Sequence, residues 1–269
     1  MLRIKPLQIA LKVSRKEYIT PHYIRVFLEG EEVAKLADTT IGINNKILIP
    51  PKGTDKVYFP QLDPETRRWK PQPPALASII RTYTHRGIDL AKNEIWIDFV
   101  AHGDEGPASK WAIEAQKGDS LGVMMKKGKR TLYTPASHYL LIGDATAIPV
   151  LASILEDLPS TATGTCIIEV HSKEDEQTLY TRAAIQFIWL HNPQPQNGSR
   201  LTEVCKAQPL PEKDRFAYIA AEFSSVKALR HYLRKEQEWA RDELYAFSYW
   251  KAGKAENESA SSRREEREG

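Results

Sequence analysis

A chain of 269 residues, 41% hydrophobic and 27% charged, suits one large domain or two of ordinary size and can bury a sizeable core. A net charge of +3 spread along the sequence is too weak a signal for a nucleic-acid-binding protein. No apolar run approaches the ~20 residues of a membrane helix, and residues 1–6 lack the apolar block of a signal peptide. Cys166 and Cys205 make no metal or redox spacing, and Cys166 sits in an apolar run as a buried free thiol would. These features predict a soluble, cytoplasmic monomer with no membrane partner and no protein metal site.

The first ~130 residues read as short strands joined by turns. Residues 7–13 alternate, and 23–28 do so clearly, with Tyr23, Arg25 and Phe27 on one face and Ile24, Val26 and Leu28 on the other. Residues 31–37 predict a short helix, and 43–50 a strand closed by the turn Pro50-Pro51-Lys52-Gly53. The proline-rich Lys70-Pro71-Gln72-Pro73-Pro74 and the apolar residues 75–80 lead into Arg81-Thr82-Tyr83-Thr84. In a strand, Arg81 and Tyr83 project to one face, with Thr84 at its end. That set offers a cation for phosphate, a flat ring for an isoalloxazine and a hydroxyl near its reactive nitrogen. Alone, such a tetrapeptide is more often a half-buried strand with a solvated arginine. Residues 94–100 form another alternating strand, and this spacing suggests a small barrel or sandwich.

Next comes His102-Gly103-Asp104-Glu105-Gly106-Pro107-Ala108-Ser109-Lys110-Trp111-Ala112. Pro107 falls where a first helical turn tolerates it, and a helix is predicted over 108–115. The amides of a helix start bind phosphate, and small residues let it approach. After a flavin-like strand, this junction reads as a pyrophosphate site. Gly118-Asp119 then turns into a strand at 120–124. Lys126, Lys127, Lys129 and Arg130 crowd into five residues, a solvated loop in the ordinary case and an attractor for an anionic ligand in the other.

Past Thr134-Pro135 the pattern changes to apolar runs alternating with helices, the signature of a parallel sheet. Strands are predicted at 138–143, 166–170, 186–190 and 216–221, each buried on both faces. Helices are predicted at 150–158 and 224–238, and a terminal ordered piece at 247–251. Ligands of such sheets sit at the carboxyl ends of the strands, here 143–149 and 221–224. The loop after Gly143 has Ala145 where the second glycine of a dinucleotide fingerprint would stand, which makes it a weak signal by itself. The expected organisation is an antiparallel β-barrel over 1–134, an α/β domain over 135–252 and a charged tail over 253–269.

In this order, Arg81-Thr82-Tyr83-Thr84, the stretch 98–112, Gly118-Asp119, the stretch 141–149 and Tyr249-Trp250-Lys251-Ala252-Gly253-Lys254 resemble the ferredoxin–NADP reductase superfamily, and more narrowly the siderophore-interacting proteins. The resemblance implies an FAD-binding barrel followed by an NAD(P)H-binding domain. It implies that Arg81 holds the FAD phosphate, Tyr83 stacks on the isoalloxazine and Thr84 bonds near its reactive nitrogen. Phe99, His102 and the amides of Gly106, Pro107, Ala108 and Ser109 would hold the rest, with Trp111 close by; Thr82, Asp98, Val100 and Asp104 complete the set. Gly143, Asp144, Ala145 and Thr146 would form the nicotinamide-nucleotide loop. Glu222 matches the family's glutamate, although the usual Ala-Gly-Glu reads Ala220-Ala221-Glu222 here. Tyr249 and Trp250 would wall the site, and Lys251 or Lys254, with the basic run 126–130, would meet an anionic ferric siderophore.

The implied reaction passes a hydride from NADH or NADPH to FAD and single electrons to a bound ferric siderophore, which then releases ferrous iron. One lysine among three acids in 171–176 leans towards NADH, while Arg182 keeps NADPH open. The alternatives are a reductase partnered by a ferredoxin and a non-catalytic siderophore-binding protein.

Overall fold

The computed structural model describes residues 6–63, 65–66, 68–70, 72–103, 106–256 and 258–259. The chain divides into two compact units, Met1–Arg130 and Thr131–Gly269.

In the first unit, β1 (Leu7–Thr20), β2 (Tyr23–Glu29), β3 (Asn44–Ile49), β4 (Ile79–Thr84), β5 (Gly87–Asp89), β6 (Glu94–Val100) and β7 (Ser120–Met125) form an antiparallel sheet. The order is β4-β3-β7-β1-β2-β6-β5. Strand β1 is twice as long as its alternation suggests because it serves two neighbours. Its first half pairs with β7 and its second with β2, and the register slips between Val13 and Arg15 and again between Tyr18 and Thr20. Such irregularities bend and twist a strand, and here they curl the sheet. The curl brings β4 onto β6, where the Tyr83 and Phe99 ring centroids lie 4.5 Å apart. Ile9, Leu11, Ile24, Val26, Leu28, Ile47, Ile95, Ile97, Phe99 and Leu121 fill the interior. Burying each such side chain contributes roughly 1.5–3 kcal/mol. A short 3-10 turn, Glu31–Leu36, stands where the helix over 31–37 is predicted.

Helix α1 (Pro107–Glu114) closes this unit, with Gly106 as N-cap and Pro107 at its start. The Lys16 ammonium donates to the carbonyls of Ile113 and Ala112 at the far end, a favourable place for a cation.

The second unit carries a parallel sheet of β8 (His138–Asp144), β9 (Thr163–Val170), β10 (Ala184–His191), β11 (Arg215–Glu222) and β12 (Leu244–Trp250). The order is β10-β9-β8-β11-β12. The chain runs outward from β8 to β10, then resumes on the other side of β8, which makes the carboxyl ends of β8 and β11 a topological switch point. Helices α2 (Ile148–Asp157), α3 (Leu201–Lys206) and α4 (Phe223–His231) complete the unit.

Three expectations change here. The run around 186–190 is an edge strand, and its apolar side chains are half-buried rather than covered on both faces. The terminal piece is a full parallel strand, β12. The helix predicted over 224–238 ends at His231 and continues as a π turn, Tyr232–Glu236, where Gln237 N–H bonds back to the Tyr232 carbonyl. Cys166 and Cys205 are free and buried, and burial pushes both thiols up, Cys205 to about 12. Among the described residues no helix is long and apolar enough to cross a membrane.

Candidate functional site

On β4, Arg81 and Tyr83 share one face, opposite Ile47 and Asn45 of β3. Tyr83 is half-buried, its ring backed by the fully buried Phe99, which in turn meets Trp111 of α1 at 5.6 Å between centroids. This aromatic file joins β4, β6 and α1, so the strand bearing Arg81 and the helix start belong to one end of the unit. Arg81 is half-buried, with its guanidinium donating to the Ile80 carbonyl at 2.9 Å. Thr84 is buried, whereas Thr82 faces outward and accepts from Lys46.

The loop into α1 is pinned from within. Ser109 is 1% exposed; its hydroxyl accepts the His102 amide at 3.0 Å and donates to the Gly103 carbonyl at 2.8 Å. The hydroxyl is thus occupied, and Ser109 acts as a clasp. Gly106 also has a local reason: a Cβ there would stand 2.5 Å from Cε1 of His102, whose ring lies over the helix start. Pro107 has no N–H, so the first-turn donors are the amides of Ala108 and Ser109. Asp104 lies outside the described residues.

Two of the predicted residues, Asp98 and Phe99, have buried side chains. The Asp98 carboxylate is buried and accepts two bonds from Arg25, at 2.7 and 2.8 Å, and one from Tyr23 at 3.2 Å, with Arg86 at 3.9 Å. Its charge is thereby matched inside the unit. The Phe99 ring is likewise core. Trp111 packs on that core, and Val100 is half-buried at the end of β6. Nothing local in the sequence marks Arg25, Tyr23 and Asp98 as one cluster; the charged Arg25 on an otherwise apolar strand was the available signal.

The basic run 126–130 follows β7. Lys126, Lys127 and Arg130 are exposed, but the Lys129 ammonium is tied to the Thr39 carbonyl at 2.7 Å. The Gly128 and Arg130 amides bond to Asp38 and Thr40, so the run is anchored rather than loose.

In the second unit the predicted residues gather at the switch point. Asp144 ends β8 and caps a 3-10 turn, Ala145–Ala147, accepting the Thr146 amide at 2.9 Å and its hydroxyl. Its other oxygen accepts the Trp250 indole N–H at 2.7 Å. Burial pushes this carboxyl above the usual carboxylate range, and the bonds from Thr146 and Trp250 oppose the shift. Glu222 ends β11; Oε2 accepts the Ser224 amide at 2.6 Å and Oε1 the Ala252 amide at 3.2 Å. Gly143 is required by packing, since a Cβ would stand 2.5 Å from that of Ala147 and 2.9 Å from the Ala220 carbonyl. Ala221 is fully buried in the core, so its methyl group takes no space from an open site. Tyr249 belongs to a hydroxyl cluster with Tyr218 and Tyr245, and burial raises both Tyr249 and Tyr218 above the usual phenol range. The Lys251 ammonium lies 4.1 Å from the Phe223 ring centroid, while Lys254 is exposed.

A family model described as "Siderophore-interacting FAD-binding domain" matches residues 12–130, and "Siderophore-interacting protein" matches 136–253. The ferric vibriobactin reductase ViuB of Vibrio cholerae is 33% identical over 248 residues, covering 91% of this chain and 90% of that protein. The crystal structure of the siderophore-interacting protein SipS from Aeromonas hydrophila superposes with a TM-score of 0.81 at 29% identity, covering 98% of this chain and 99% of SipS. A ferredoxin NADP+ reductase from Neisseria gonorrhoeae shares the fold, with a TM-score of 0.58 at 14% identity over 90% of this chain and 98% of that one. A curled antiparallel sheet followed by a five-stranded parallel sheet is thus a ferredoxin–NADP reductase-like architecture, and the chain belongs to the siderophore-interacting protein family.

Proposed function

We propose that this protein is a cytoplasmic, FAD-dependent ferric-siderophore reductase that draws electrons from NADH or NADPH. The observation that carries the reading is Tyr83: a half-buried ring, backed by Phe99 and two positions from Arg81 on one strand face. The similarity to ViuB, a ferric vibriobactin reductase, supports the same reading.

The residues fit FAD. Tyr83 offers a flat apolar face, Arg81 a cation for phosphate, and Thr84 a hydroxyl at the strand end. The Ala108 and Ser109 amides offer donors at a helix start, with the His102 ring above them. When bound, FAD supplies the exchange between a two-electron donor and a one-electron acceptor. The chain's own task is to orient, to exclude water and to set charge. Tyr83 and Phe99 keep one side dry, and the Ser109 clasp fixes the backbone that carries His102. In the second unit, the turn Ala145–Ala147 at the switch point receives the pyridine nucleotide, with Asp144 and Glu222 holding the backbone around it. The exposed Lys126, Lys127 and Arg130 of the first unit, and separately Lys254 of the second, offer positive charge to an anionic ferric chelate. The chelate is substrate, so iron needs no ligand from the protein.

The test is an anaerobic absorbance experiment on the purified protein with FAD, a pyridine nucleotide, a ferric hydroxamate and a ferrous trap. Bleaching by the nucleotide, recovery with the chelate and trapped ferrous iron are expected. Flavin that bleaches but is not reoxidised by chelate redirects the reading to a ferredoxin partner. A protein that binds no added FAD overturns it.

A further inference from the structure

The interior of the first unit contains a polar pair that its packing does not explain. His85 is fully buried and Asn45 is 2% exposed. Both ring nitrogens of His85 and both amide atoms of Asn45 lack a hydrogen-bond partner among the described residues. Unpaired buried polar atoms are costly, and native cores usually satisfy them, often with an ordered water.

The two residues are neighbours by register. Asn45 on β3 stands opposite Tyr83 on β4. Just beyond β4, the His85 amide donates to the Ile43 carbonyl at 2.8 Å, and its carbonyl accepts the Gly42 amide at 2.7 Å. Gly42 has φ 88°, so Gly42 and Ile43 form a bulge opposite His85. Asn45 is therefore a diagonal neighbour of His85 on the face that also carries Tyr83, at a spacing of roughly 7–8 Å between backbones. A water there can accept from the Asn45 amide and donate to the acceptor nitrogen of a neutral imidazole.

We propose that Asn45 and His85 hold an internal water, and that this hydrated pair positions the segment 83–85, with Tyr83 and Thr84, for its ligand. The positioning role rests on the flavin reading; the water site does not. The pair needs His85 neutral. Burial pushes its imidazole down to about 4, and the Lys129 ammonium acts in the same direction. Tyr83 and Arg81 are the other ionisable groups on its face of β4, and the facing β3 positions are Asn45 and Ile47, which carry no charge. The folded value lies below the unfolded one, so between about 6.5 and about 4 the unfolded chain binds the proton first. Stability falls as pH drops through that window.

The experiment is a double-mutant cycle on the FAD-loaded protein and on the flavin-free protein, using Asn45→Val, His85→Leu and the pair. Each single variant strands one polar partner, and its Tm at pH 7 is expected to fall by about 3–8 °C. The double variant is expected to fall by less than the sum, because no orphan remains. Its FAD-release midpoint on acidification should lie at lower pH than that of the wild type. His85→Gln, neutral and hydrogen-bonding, should hold the wild-type Tm while losing the acid sensitivity. A high-resolution crystal structure should place an ordered water between the two side chains. Additive melts, or no water between them, overturn the water site. Coupled melts with an unchanged release midpoint overturn the positioning role. A chain that binds no FAD fails the flavin reading instead, while the flavin-free melts still decide on the pair.

Discussion

Trp250, at the end of β12, donates its indole N–H to Asp144, at the end of β8, across 2.7 Å. The two strands are not neighbours, since β11 lies between them, so this bond ties the switch point together over the top of the sheet. Replacing Trp250 with Phe removes the donor and leaves a buried carboxylate oxygen unpaired, at a cost of about 1–3 kcal/mol at neutral pH. Burial already holds the Asp144 carboxyl above its unfolded value, so the folded state keeps this proton to higher pH than the unfolded chain does. The contribution of this group to stability therefore falls as pH rises from about 3.8 through the folded value. The variant should extend that fall, giving a penalty that is small in acid and full at pH 7. Urea denaturation followed by circular dichroism across this range checks it. An equal penalty at every pH would mean that Trp250 acts only by packing.

Asp98 is a buried carboxylate of the first unit, and Arg25 is its bidentate partner. Removing one member of such a pair leaves the other uncompensated, typically at about 3–5 kcal/mol. Asp98→Ala should thus lower the stability of the flavin-free protein by that amount. Chemical denaturation without flavin measures it. A small loss there, accompanied by a large loss of FAD affinity, would instead place the Asp98 carboxylate at the ligand site.

These two clusters show what the sequence could and could not carry. Alternation over 23–28 and 94–100 was legible because strand geometry is local. So was the strand carrying Arg81-Thr82-Tyr83-Thr84, whose alternation puts Arg81 and Tyr83 on one face. Arg25 and Asp98 meet only through the pairing of β2 with β6, and no spacing announces it. The edge position of β10 was hidden for a related reason: half-buried apolar side chains spell the same run as fully buried ones. Ser109 was legible as part of a helix start, but its role as a clasp depends on the fold of the loop back onto it.

Gly106 separates ligand geometry from stability. A methyl group at this position would meet the His102 ring at 2.5 Å, and that ring belongs to an exposed side chain that can swing away. The backbone at Gly106, φ −90° and ψ 121°, suits alanine. Gly106→Ala should therefore stay within about 0.5 kcal/mol of the wild type in stability. Its FAD affinity should fall, because His102 no longer lies over the helix start. Ser109→Ala should instead lose stability by about 1–2 kcal/mol, since both part-buried bonds of the Ser109 hydroxyl disappear. Flavin fluorescence titration alongside denaturation distinguishes the two. Unaltered FAD binding by Gly106→Ala would remove His102 from the site.

In the proposed reductase, the expected determinant of NADH against NADPH is the turn after β9, the position that in doubly wound sheets meets the adenine ribose. Four charges stand there, and hydrogen bonding within the turn, to its own backbone and to Ser172, holds the Glu174 carboxyl below the usual carboxylate range. Asp175 closes a capping box with Ser172 at 2.8 Å, and Glu176 pairs with His191 at 2.8 Å. Glu174 and Lys173 remain exposed, and the turn as a whole is acidic. An acidic turn accepts a ribose hydroxyl and opposes a 2′-phosphate, so NADH should be the better donor. Glu174→Lys reverses the exposed charge and should raise kcat/KM for NADPH relative to NADH several-fold. The ratio should narrow again at high salt, because exposed charges are screened. Steady-state flavin reduction with each nucleotide, at low and high ionic strength, measures this. A wild-type preference for NADPH would show that Lys173 or Arg182, rather than the acids, sets the selectivity.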